Sequence, residues 1–293
     1  MGRVPAWVYV LLFFAAFFIA LSVFTVLFGL GVLKPSWFDF VSSLFTVERK
    51  VVVTKTFTET VTRTVTVSPA FPREFGEVVF SRTYIIRDFT SGREYVAAVS
   101  IPASMYFNYR LYKKHEPMTL STRINYVKNL VEPNNQVVRV IANDLWGLAN
   151  GDPELYAVFV LQLLHQMVYR KATYAKYPVE TLVEWSGDCD NLAVLAASIL
   201  EAKGVDTVLV MVKTEEGYHV MLGIHLPFEP KLPGKYGRSK ILYFTTATNP
   251  SRKYYAAEAT WKFGVNPFDP HYTGTLLGDS LWKTFKIVKV IDV

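Results

Sequence analysis

Hydrophobic and polar positions divide this 293-residue chain into stretches of different character. Residues 7–30 form an uncharged run dominated by Phe, Leu, Val and Ala. About 20 apolar residues span a bilayer as a helix, so the run is long enough with some tilt. Its exit, Gly31-Val32-Leu33-Lys34-Pro35, lacks the small-x-small pattern of a cleavage site. An uncleaved transmembrane signal anchor over 7–33 is therefore expected. From residue 54 to 66 every even position is threonine. Strict alternation of β-branched residues favours an extended chain. Neither face is apolar enough for a core strand, so 34–72 is assigned to a juxtamembrane segment and stalk.

The remaining periodicity is that of a globular domain. Residues 78–87 and 95–101 alternate as strands, and Asp88-Phe89-Thr90-Ser91-Gly92 between them is a hairpin signal. Tyr106, Tyr109 and Tyr112 recur three apart, a packing stripe. Residues 134–148 and 153–170 carry helical spacing; the second is apolar nearly all round and should be buried. Strands are expected at 205–212, 218–226, 240–246, 253–260 and 285–291. Helices first and an antiparallel sheet later give an α+β fold. The division is a β-rich extension over 73–133 and a principal domain over 134–293.

Charge refines this picture without redirecting it. The formal net charge is +6 and the isoelectric point is near 9.2, with basic residues scattered. No glycine loop is built to cradle phosphate and no basic helix suits nucleic acid, so neither nucleic acid nor a nucleotide cofactor is expected. Arg3 and the amino terminus precede the apolar run, while Lys34 beyond it is balanced by Asp39. The positive-inside tendency puts residues 1–6 in the cytoplasm and the domain outside, a single-pass membrane protein. One cysteine permits no intramolecular disulfide, and with dispersed histidines it offers no metal-ligand cluster.

That cysteine is the candidate nucleophile. Cys189 lies in Gly187-Asp188-Cys189-Asp190-Asn191, just before Leu192, Leu195, Ala196 and Ile199 at helical spacing. A first-turn position would set its sulfur against unpaired backbone N–H groups and the positive end of the helix dipole. Those groups and a neighbouring imidazole are the usual means of lowering a thiol pKa. His219 opens the second strand downstream; His225, six residues on, would lie roughly 20 Å away.

The ordered set Tyr177-Pro178-Val179-Glu180-Thr181-Leu182, Gly187-Asp188-Cys189, Gly217-Tyr218-His219 and Tyr254-Tyr255-Ala256-Ala257-Glu258-Ala259-Thr260 resembles the transglutaminase-like superfamily. It is most similar to the archaeal membrane-anchored members, and the resemblance covers about 135–267. It implies a papain-like core, a helix carrying the cysteine packed on an antiparallel sheet. It also implies a triad of Cys189 as nucleophile, His219 as general base and then acid, and Glu258 as the group orienting the imidazole. An acyl-enzyme would pass to water or to an amine, with peptide or isopeptide bonds of envelope proteins as substrate. Asn249 is the rival orienter. The oxyanion is assigned to the Cys189 N–H, with Gln166 or His165 as side-chain donor, because relatives place a glutamine on the preceding helix. Asn191 stands where relatives carry the second acid of a pair. A non-catalytic binding module that keeps the fold is the alternative reading. Oligomeric state is not readable from the sequence.

Overall fold

The structure is a computed structural model that describes residues 60–66, 78–88, 90–115, 123–231, 241–260 and 284–293. All of these lie in one compact unit, Lys55–Val293. The expected cytoplasmic N-terminus, the anchor over 7–33 and the stalk apart from 60–66 fall outside the described residues. Among the described residues no helix is long and apolar enough to cross a membrane.

The architecture is mixed α and β, with six helices among the described residues, a small sheet and a larger antiparallel sheet. In the small sheet β2 (Val79–Asp88) and β3 (Arg93–Pro102) form the expected hairpin, paired from Val79↔Pro102 to Asp88↔Arg93. Asp88 holds its turn by accepting hydrogen bonds from the backbone N–H groups of Thr90 and Ser91. Gly92 closes the turn at φ +73°, where a Cβ would be strained. Alternate residues Tyr95, Ala97, Val99 and Ile101 are buried.

One reading is corrected here. Residues 60–66, assigned to the stalk, form β1 (Thr60–Thr66), which pairs in parallel with β3 from Thr60↔Glu94 to Thr66↔Ser100. Alternation that is too polar for a core strand suffices for an edge strand, because the ladder is made by backbone groups. The extension is also less β-rich than expected. It contains α1 (Ala103–Tyr112) and α2 (Arg123–Lys128). Tyr109 of the tyrosine stripe is buried, whereas Tyr112 is exposed.

The larger sheet runs β10-β6-β7-β9-β8, antiparallel throughout. Its strands are β6 (Thr207–Thr214), β7 (Gly217–His225), β8 (Tyr243–Phe244), β9 (Tyr254–Ala257) and β10 (Lys286–Asp292). Leu209, Met211, Val220, Leu222 and Ile224 enter the main helix-covered core. Val208, Val210, Val212 and Met221 fill a second, smaller core with Phe244 and Tyr254. Burial on both faces explains why β6 reads as an unbroken apolar run. The strand expected over 240–246 contracts to β8.

Helices cover the main core: α3 (Gln136–Leu148), α4 (Pro153–His165), α5 (Pro178–Glu184) and α6 (Cys189–Glu201). Each start has a chemical cause: at α5 it is Pro178 in the first turn, with Glu180 accepting from Tyr177 N–H at 3.0 Å. Asn135 accepts from Val137 N–H, Asp152 from Glu154 N–H, and Asp188 from Asn191 N–H. Helix α4 stops five residues before the predicted end. Its continuation becomes β4 (Val168–Tyr169), which pairs in parallel with β5 (Ser186–Gly187) directly before the cysteine helix.

Helix α4 also clamps the small sheet. The Gln162 amide accepts from Arg87 N–H at 2.8 Å and donates to Arg87 C=O at 2.9 Å. Gln166, one helical turn on, repeats the pattern on Ile85 at 2.9 and 2.7 Å. Two side chains thus satisfy the outer edge of β2 much as another strand would.

Candidate active site

Cys189 is the first residue of α6, and Asp188 caps that helix. The Asp188 carboxylate also accepts from Ala172 N–H at 3.2 Å, which ties the chain after β4 to the helix start. Gly187 is required immediately upstream, since a Cβ there would lie 2.7 Å from Asn191 Cβ. Asn191 is fully buried and accepts from Lys176 N–H at 2.6 Å. Asn191 therefore bears on packing beneath the cysteine rather than on the open side of the site.

The elements bring the three expected triad residues together. His219 on β7 donates from Nε2 to both carboxylate oxygens of Glu258, at 3.0 and 2.9 Å. Nε2 is thereby committed, so exchange with Cys189, which lines the same cleft, falls to Nδ1. Glu258 follows directly on β9 and is wholly buried. Its Oε1 also accepts from the Thr260 hydroxyl at 2.7 Å and from Thr260 N–H at 3.1 Å. The Glu-x-Thr spacing is a local signal for this hydroxyl turn, although the role of Thr260 was not anticipated.

A cleft of about 430 Å³ opens on Cys189 and His219. Tyr169 and Lys171 stand on one side and Glu216 and Tyr218 on the other, both tyrosines 40% exposed. Among the described residues no group of three or more His, Cys, Asp or Glu is arranged to hold a metal ion.

The remaining candidates lie elsewhere. Both amide hydrogens of Gln166 are already donated, to Ile85 C=O and to Gln162 C=O. It has none to offer an oxyanion, which leaves the Cys189 N–H at the helix start as the donor that chain position supplies. His165 is buried and donates from Nε2 to Glu258 C=O at 2.8 Å, so it supports the triad from beneath instead of lining the cleft. Asn249 is exposed in a separate groove beside His225 and Lys253, and Glu258 holds the orienting position that it was weighed for.

Electrostatics correct one expectation. Burial pushes the Cys189 thiol up; the His219 hydrogen bond and charge pull it down, while Asp190 and Asp188 push it further up. Its proton is directed at Asp190 Oδ1, 3.6 Å from Sγ. With Cys189 only 4% exposed, desolvation outweighs the helix end and the imidazole in the resting site. For His219, burial alone would lower the pKa, but the Glu258 charge and the hydrogen bonds to Cys189 and Glu258 raise it to about 11. The resting ring is therefore an imidazolium held against a carboxylate. His165 moves the other way, lowered to about 4 by burial against the opposing pull of Glu258.

These two histidines set a stability profile. His219 has a folded pKa above its unfolded value of 6.5, so its contribution is complete below pH 6.5 and is lost as pH rises through about 11. His165 has a folded pKa below 6.5, so its contribution is complete above pH 6.5 and is lost as pH falls through about 4. Thermal melts from pH 3 to 11 should give a maximum near 6.5. His219→Ala should flatten the alkaline limb and His165→Gln the acid limb. No protein-family model matches the chain, and no curated protein matches it.

Proposed function

We propose that the protein is a membrane-anchored, extracytoplasmic thiol hydrolase or acyltransferase with a transglutaminase-like, papain-like core. On this reading it acts on peptide or isopeptide bonds through Cys189, His219 and Glu258. One observation carries the reading. A buried imidazole is held on both oxygens of a buried carboxylate, and it shares one cleft with a cysteine at a helix start. A structural histidine needs only one partner to satisfy its ring; this constellation also prepares proton transfer to and from sulfur.

The chemistry follows from the protonation states. The thiol proton passes to solvent, because the ring is already protonated, and a thiolate remains beside the His219 imidazolium. Sulfur attacks the substrate carbonyl, and the oxyanion forms against the Cys189 N–H. The imidazolium gives its Nδ1 proton to the departing amine, and the acyl group stays on sulfur. The neutral ring, its Nε2–H still held by Glu258, then takes a proton from the water or amine that releases the product.

The test is the pH–rate profile for alkylation of Cys189 by iodoacetamide in the full-length protein. His219 is the group that draws the thiol pKa down, so His219→Ala should move the alkylation midpoint to higher pH. The neutral-pH rate should drop on the order of tenfold. A profile identical in both proteins would sink the triad and favour a fold kept for binding.

A further inference from the structure

The fully buried His165 has a defined task that the triad chemistry leaves out. It is the last residue of α4, 4% exposed, and its Nε2 lies 2.8 Å from the carbonyl oxygen of Glu258. A carbonyl only accepts, so Nε2 must carry the proton. Glu258 sits immediately beyond β9, past the last pair of the β7–β9 ladder, Leu222↔Ala257. Two contacts then fix this residue at its ends. Thr260 fixes the carboxylate, and His165 fixes the main chain. Two residues flanking His165 are themselves fastened, Gln162 to Arg87 and Gln166 to Ile85. The helix end that carries His165 is thus an anchored platform rather than a fraying terminus.

We infer that His165 is a positioning residue, whose neutral Nε2–H tautomer fixes the Glu258 backbone and thereby the carboxylate that holds His219 against Cys189. This rests on the triad reading above, but it assigns a residue that never meets substrate. Its burial keeps the ring uncharged through the neutral range, consistent with a pKa drawn down to about 4. Protonation would set a second cation beneath a site whose own imidazolium already faces Glu258. Small displacements of a catalytic group are costly in rate, and the contact acts on main-chain atoms that no side-chain rotation can compensate.

Glutamine and asparagine distinguish this role from simple filling of space. The amide nitrogen of glutamine falls near the place of Nε2, whereas that of asparagine falls near Nδ1. In the full-length protein His165→Gln should keep the Cys189 alkylation rate within about twofold, and His165→Asn should slow it on the order of tenfold. The elevated His219 titration, followed by NMR with isotope-labelled histidine, should fall in His165→Asn and persist in His165→Gln. Equal behaviour of the two variants would overturn the inference. So would histidine nitrogen shifts in the unmodified protein that place the His165 proton on Nδ1, a readout independent of whether either variant folds. Failure of the triad reading itself would look different: His219→Ala would leave alkylation unchanged, whatever residue occupies position 165.

Discussion

Replacing Glu258 with glutamine should lower the acylation rate of Cys189 by about 10³- to 10⁴-fold, while the shape of the site changes little. The reason lies in Thr260. Its hydroxyl and its backbone N–H both donate to Oε1 of the present carboxylate. In the variant those two donors would hold the amide oxygen in place and turn the NH₂ group toward His219 Nε2, now 2.9 Å from Oε2. Two donors cannot share that contact. The ring would surrender its Nε2 proton and carry one on Nδ1, facing sulfur, where a neutral ring must instead accept. The imidazolium would also lose its counter-charge, so the His219 titration should fall steeply from about 11. Single-turnover acylation and histidine NMR would report the two effects together. A variant that retains acylation within tenfold would show that Glu258 does not orient the ring.

Gly223→Ala should destabilise the fold by about 1–3 kcal/mol and disturb the triad as well. A Cβ at this position of β7 would lie 2.6 Å from Val208 Cγ2, 2.8 Å from Tyr254 Cβ and 3.2 Å from Phe244 Cδ2. The valine methyl can move with its rotamer. The Tyr254 Cβ is fixed to its backbone, so relief requires β7 and β9 to separate. That movement bears directly on function, because β7 carries His219 and β9 delivers Glu258. Chemical denaturation should register the stability loss, and alkylation of Cys189 should lose part of its dependence on His219. Gly204→Ala makes a useful comparison. Its Cβ would meet nothing within 4 Å, so any loss there comes from a φ of +72° and should leave the triad untouched.

The parts of this molecule legible in the sequence are those written in local chemistry. Asp188 before Cys189 is a cap residue before an apolar periodic run, and the helix starts there. Pro153 after Asp152 marks α4 in the same way. The joining of Cys189, His219 and Glu258 was legible through the ordered motifs that carry a resemblance, since spacing alone could not bring together residues so far apart. What escaped was long-range. Nothing around Gln166 reveals that its amide is taken by Ile85, 81 positions earlier. The thiol was misjudged for a related reason. A helix end and an imidazole are local features, whereas desolvation of Cys189 depends on how the cleft walls from β4 and the β6–β7 turn close over it. The threonine alternation was read correctly as extended chain, but an edge strand needs a partner, and the hairpin that supplies it lies downstream.

The clamp of Gln162 and Gln166 on β2 has a consequence for how copies of this protein can meet. A sheet that grows into a fibre must offer two open edges, one for each neighbour. In the sheet ordered β1-β3-β2, the β2 side is stopped by two amides at Ile85 and Arg87, and only the threonine-rich β1 side remains terminal among the described residues. Strand-to-strand joining through this sheet would therefore end at a pair. Crowding such molecules would favour couples over polymers.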